Sequence, residues 1–199
     1  MSEPHEHHHH HHHEPVEYRD VVEQMRAGKD EFFRTDPQSP VPAAERRSFA
    51  GLPYFPVDEA LRFEGVSLEP NAEGQASTLT LPTTDGRERH AHRAGRLSFE
   101  LAGERRNLTA FLFEGDEDEA SLFVPFLDAT SGRESYGAGR YLDLYPEEDG
   151  TYALDFNLAY HPSCVYDPKY SCPLTPPENR LPVRIEAGER LAEDHASAG

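Results

Sequence analysis

The spacing of apolar residues changes once along the chain. Between Val16 and Arg34 the residues Tyr18, Val21, Val22, Met25, Phe32 and Phe33 recur at helical intervals, with a gap around Lys29, and predict one amphipathic helix. Pro37, Pro40 and Pro42 end it. The run Phe49-Ala-Gly-Leu-Pro-Tyr-Phe-Pro56 is apolar but broken by proline, and is expected to lie across the core as a plug or lid.

From Leu61 onward the pattern becomes short runs divided by turn residues at intervals of about ten, the spacing of an all-β sandwich or barrel. Candidate strands are Leu61 to Leu68, Ser77 to Pro82, Arg89 to Leu101, Arg105 to Phe113, Leu122 to Asp128, Arg140 to Tyr145, Thr151 to Tyr160 and Pro182 to Glu186. Asp85-Gly86, Ala102-Gly103, Gly115-Asp116 and Asp149-Gly150 tolerate positive φ, so neighbouring strands are expected to pair as hairpins. The predicted fold is mostly β, an antiparallel barrel or two-sheet sandwich with the N-terminal helix covering one end.

Three boundaries follow. Residues 1–14 hold a His-Glu-seven-His run, either a tag or a natural arm, which is expected to be disordered. Residues 15–190 form the single β-rich domain, and 191–199 an acidic disordered tail.

Charge then narrows the function classes. Asp and Glu number 37 against 19 Lys and Arg, for a formal charge of -18, and Lys29 and Lys169 are the only lysines. Acid spread along the whole chain, with lysine scarce, is expected of a protein in a salt-rich cytoplasm, where carboxylates hold hydration. No basic patch offers itself to nucleic acid, and no apolar run is long enough for a membrane span or signal segment. A cytoplasmic location is therefore expected, with Cys164 and Cys172 as thiols unless local geometry dictates otherwise.

Candidate chemistry is concentrated between Asp128 and Asn179. Phe126-Leu-Asp-Ala-Thr-Ser-Gly132 and Tyr136-Gly-Ala-Gly-Arg-Tyr-Leu-Asp143 set small residues beside Asp128, Tyr136, Arg140 and Asp143. Strand alternation puts Tyr141, Asp143 and Tyr145 on one face and Arg140, Leu142 and Leu144 on the other. In Thr151 to Tyr160 the same alternation sets Asp155 and Asn157 between Ala153 and Ala159, leaving room above them for something polar. The run from Tyr160 to Asn179 has no regular period, contains five prolines and interleaves Tyr, Cys, His and Asn, as functional loops do. Cys164 and Cys172 read first as structural thiols or a loop-stapling disulfide. A metal site, with His161, Asp167, His90 or His92 completing the ligands, comes second, and a catalytic nucleophile last.

These stretches, with Leu154-Asp-Phe-Asn-Leu-Ala-Tyr160, Ser171-Cys-Pro-Leu-Thr-Pro-Pro-Glu-Asn-Arg-Leu181 and Arg184-Ile-Glu-Ala-Gly-Glu189, resemble the domain of unknown function 1684 family from about Tyr18 to Glu189. The resemblance implies no activity. It implies weight on Asp128, Gly132, Tyr136, Gly139, Arg140, Tyr141, Asp155, Asn157, Tyr160, Cys164, Cys172 and Asn179. The chain departs from that pattern at His161, where the family favours Asn.

Three readings follow. In the first, a β-barrel pocket binds a small polar or anionic ligand through Arg140, Tyr136, Tyr141, Asn157, Tyr160 and Asn179. In the second, an enzyme uses Asp128 or Asp155 as general base in the same pocket, with or without a metal at Cys164 and Cys172. In the third, the segment serves structure or interaction alone. The cofactor and the oligomeric state are left open by the sequence, with a metal not favoured.

Overall fold

The computed structural model describes residues 16–116 and 120–193. The His-rich arm, residues 117–119 and the tail from Asp194 lie outside the described residues.

Helix α1 runs from Tyr18 to Thr35. It buries Val22 and Phe33, but leaves Val21, Met25 and Phe32 exposed, so only part of its apolar stripe is covered by this chain. Eight strands follow: β1 Arg62–Val66, β2 Leu68–Glu69, β3 Thr78–Pro82, β4 Glu88–Leu101, β5 Glu104–Phe113, β6 Leu122–Phe126, β7 Arg140–Leu144 and β8 Tyr152–Asp155. All the ladders are antiparallel.

The larger sheet has the order β2-β4-β5-β6-β7, with β3 also paired to β4, and the smaller joins β1 to β8. They do not close into a barrel, which settles the sequence alternative for the two-sheet arrangement. Leu97, Phe99, Leu108, Val124, Phe126 and Leu142 from the larger sheet pack with Leu154 and Phe156 in one core. Phe156 is the pivot, with ring centroids 5.2 Å from Phe126 and 5.7 Å from Phe99. Burying each such ring stabilises the fold by roughly 2–3 kcal/mol.

The turn chemistry is realised at Ala102 and Gly103, whose φ values of 53° and 76° join β4 to β5 directly. At Asp149-Gly150 the turn forms, but its strands do not pair with each other. Strand β7 joins β6 while β8 joins β1 in the other sheet. Two further expectations are corrected. Strand β8 stops at Asp155 instead of running to Tyr160, because the Asp155 carboxylate accepts the Asn157 N–H at 3.0 Å and turns Phe156–Leu158 into a 3-10 helix. Pro182 to Glu186 is not a strand. Its chain is held by buried side chains, described below.

The Phe49 to Pro56 segment crosses the edge of the domain rather than its centre. Phe49 packs on Phe33 of α1, and Phe55 N–H donates to Gly188 O at 2.9 Å, so the segment ties the helix to the C-terminal chain. No helix among the described residues is long and apolar enough to cross a membrane.

Candidate functional site

The residues weighted by the sequence divide into those that hold the fold and those that line open space. Arg140 belongs to the first group. Gly139, at φ 105°, lets the chain pass where a Cβ would sit 2.5 Å from the carbonyl oxygen of Phe126, and delivers Arg140 to the core side of β7. There its guanidinium donates to the carbonyls of Ile185 at 2.8 Å, Ala187 at 2.6 Å and Glu189 at 3.0 Å, and to Asp128 at 3.3 Å. Asp128 also accepts the N–H groups of Ile185 and Thr130 and the Thr130 and Ser131 hydroxyls. The expected grip of Arg140 on an anionic ligand is replaced by a grip on the strandless C-terminal segment.

Asn157 and Asn179 act as backbone clamps. Asn179 accepts the Thr109 N–H at 2.9 Å and donates to the carbonyls of Thr109 and Pro125. Asn157 accepts the Asp58 N–H and donates to the Asp58 carbonyl, each at 2.8 Å. Asp155 accepts from Tyr18 Oη on one oxygen and from Asn157 on the other. Neither proposed base, Asp128 or Asp155, has an oxygen left without a partner.

The two cysteines are free, with Cys164 half-buried and Cys172 buried. Cys164, Cys172 and the Tyr136 phenol lie close enough together to act on one another electrostatically. Burial pushes the Cys172 thiol up from its ordinary value. Among the described residues no three His, Cys, Asp or Glu side chains gather as metal ligands.

His161 lies behind this cluster. Its Nε2 accepts the Tyr136 N–H at 3.2 Å, which leaves the proton on Nδ1, 3.7 Å from Glu189. Glu189 favours a charged ring, but its carboxylate is shared with Lys29 at 2.5 Å, Tyr166 at 2.9 Å and the His161 N–H at 3.1 Å. Burial, together with the Arg140 and Lys29 charges, wins and holds the imidazole down to about 3, so it is neutral.

Open space appears where β7 and β8 part into separate sheets. The gap is a groove of about 450 Å³, walled by Met25, Arg26 and Lys29 of α1 on one side and by Leu142, Asp143 and Leu144 of β7, with Tyr145 just after it, on the other. Ala153, Leu158 and Ala159 supply its apolar base, and Tyr54, Tyr160 and Glu189 its far end. Among the sequence candidates, Asp155, Asn157 and Tyr160 reach it. Tyr141 and Cys172 line a second hollow of about 340 Å³ behind Tyr160, while Arg140 and Asn179 line neither. The three pieces of the segment thus do not converge on one cavity.

Asp143 and Tyr160 form the wall common to both spaces. Tyr160 is fixed by an antiparallel bridge to Tyr141, with N···O distances of 2.8 and 3.1 Å, and its hydroxyl donates to Asp143 at 2.6 Å. Solvent reaches Asp143, yet the surrounding groove pushes its carboxyl up, against the opposing pull of the Tyr160 hydrogen bond and Lys29. Burial and the Asp143 charge push the Tyr160 phenol up, so it stays protonated as the donor. Lys29 Nζ stands 4.9 Å from the Tyr160 ring centroid. At the same end the Tyr54 hydroxyl is buried with no hydrogen-bond partner, its ring covered by Arg26 at 4.3 Å.

Sequence reasoning missed Lys29, Tyr54 and Glu189. Lys29 registered only as a gap in the helical stripe, and Glu189 as one acid among many. Asp143 stands beside the glycine-flanked segment in sequence and is grouped with Tyr141 and Tyr145 by the alternation along β7, with the core face left open.

A family model described as a protein of unknown function (DUF1684) matches residues 47–190. No curated protein matches the chain. A solved relative is the solution NMR structure of the uncharacterized protein from gene locus rrnAC0354 of Haloarcula marismortui. It is 41% identical with a TM-score of 0.64, over 88% of this chain and 95% of that one. With the family model spanning most of the domain, the chain belongs to the DUF1684 family of proteins of unknown function.

Proposed function

We propose that this protein binds a small molecule with an apolar body and a polar end in the groove between α1, β7 and β8. The observation that carries the reading is the pairing of exposed apolar side chains with a solvent-reached carboxylate in one recess. Met25 is 52% exposed, Tyr145 56% and Leu158 40%, and all three line the groove. Large apolar groups clustered around a concavity mark binding surfaces, whereas singly scattered ones do not. Beside them stands the Asp143 carboxylate, one oxygen of which accepts the Tyr160 hydroxyl.

The wide spread of carboxylates is read as adaptation to high salt, a reading supported by the kinship with a Haloarcula marismortui protein.

An amide-resolved NMR titration of the isotope-labelled full chain with a fragment collection tests the groove. Fragments that bind should shift Met25, Tyr145, Ala153 and Leu158 together, and Ala153→Arg, which fills the groove from a half-buried strand position, should abolish those shifts while the protein stays folded. Binding unaffected by Ala153→Arg would place the site elsewhere.

A further inference from the structure

We infer that the ligand of this groove carries a protonated amine, a small organic ammonium on an apolar body, with Asp143 as its counter-ion. The inference rests on the groove reading above and adds the chemical class of the occupant. It follows from the charges that face the space. Two cations, Arg26 and Lys29, meet four carboxylates, Asp143, Glu147, Asp155 and Glu189. Lys29 is neutralised by Glu189 at 2.5 Å. Arg26 donates to the carbonyls of Phe55 and Asn157 and stacks on Tyr54, without an ion pair among the described residues, so the lining holds two more carboxylates than cations. Asp143 and Glu147 are left, and neither forms an ion pair among the described residues.

An anionic head group would meet that excess of negative charge, with Lys29 already paired and Arg26 held against backbone carbonyls. The expectation of an anionic ligand came from Arg140, which lies outside the groove. A neutral head would leave Asp143 with the Tyr160 hydrogen bond but no counter-ion. An ammonium supplies the missing charge, and two further features suit it. Tyr54, Tyr145 and Tyr160 line the space, and the Tyr54 and Tyr160 rings already hold the cations of Arg26 at 4.3 Å and Lys29 at 4.9 Å, so aromatic groups here stand against positive charge. The backbone of β7 also turns toward the opening. Tyr141 spends both its N–H and its C=O on Tyr160, on the side away from β6, so two residues later the Asp143 carbonyl points the same way.

The test is a titration of the full chain with three matched probes, phenylpropylamine, phenylpropanol and phenylpropanoate, near neutral pH and at low and high salt, read from the amide shifts of Asp143, Tyr145 and Tyr160. The amine is expected to bind roughly tenfold tighter than the carboxylate at low salt, with the gap narrowing as salt rises. Asp143→Asn, at a solvent-reached position, should bring the amine to parity with the alcohol while leaving thermal stability unchanged. Equal binding of all three probes would overturn the ammonium assignment and leave the apolar groove standing. Preference for the carboxylate, or amine binding indifferent to Asp143→Asn, would overturn it as well. Binding of none would overturn both this assignment and the groove reading.

Discussion

Arg140 and Asp128 form an ion pair, 3.3 Å from Nη2 to Oδ1, in which solvent reaches neither side chain. Around it, the carbonyls of Ile185, Ala187 and Glu189 and the Ile185 N–H find their partners in a segment that has no ladder of its own. The pair thus does for residues 185–189 what a neighbouring strand would do.

Breaking one side of that pair strands a buried charge. Asp128→Asn and Arg140→Met are each expected to cost about 3–5 kcal/mol in denaturant unfolding. The double variant should cost less than the sum, since no unpaired charge remains. Additive losses would show that the two groups act separately.

Asn179 satisfies three buried backbone groups across two strands, and Asn179→Ala leaves Thr109 N–H, Thr109 C=O and Pro125 C=O short of a partner. A loss of about 3 kcal/mol or more is expected in chemical denaturation, with faster amide exchange at Thr109. A loss below about 1 kcal/mol would mean that water replaces the side chain.

His161 makes stability depend on pH. The unfolded chain takes up a proton near the ordinary imidazole value of about 6.5, while the native ring refuses it down to about 3. Between those values the unfolded state binds more protons, so stability falls as pH falls from about 6.5 toward 3 and is fully present above that window. His161→Asn, which cannot titrate, should flatten this part of the stability curve. An unchanged slope would assign it to the carboxylates instead.

The thiol pair should react in order. Cys164 is half-exposed, whereas Cys172 is buried and its thiol held up by that burial. Under alkylation of native protein, mass spectrometry is expected to find Cys164 modified first and Cys172 only slowly. Equal rates would show that the loop opens readily.

The parts of this fold that were legible in sequence are those set by local rules. Helix α1 and most strands followed from spacing, and Ala102-Gly103 from the needs of a tight turn. The course of residues 155–160 was misread because large residues at Phe156, Leu158 and Tyr160 keep strand alternation after the strand has ended. The signal against it was present, since Asp155 followed two residues later by Asn157 is a local capping pattern. The groove was not legible, because it exists only where β8 chooses β1 over β7, a pairing between residues about ninety apart. Arg140 was misjudged for the same reason. Nothing near it in sequence shows that its acceptors lie at Ile185, Ala187 and Glu189. Pattern could place polar residues beside a turn, but distant backbone decided whether they were spent.

The most direct measurement is a set of intermolecular Overhauser contacts between bound phenylpropylamine and the full-length protein. The probe's ring is predicted to contact the methyl groups of Met25, Ala153 and Leu158, with the methylene next to its nitrogen approaching the Tyr160 ring. Contacts confined to methyl groups away from the groove, such as Val57 or Val165, or no contacts at saturating probe, would contradict the account.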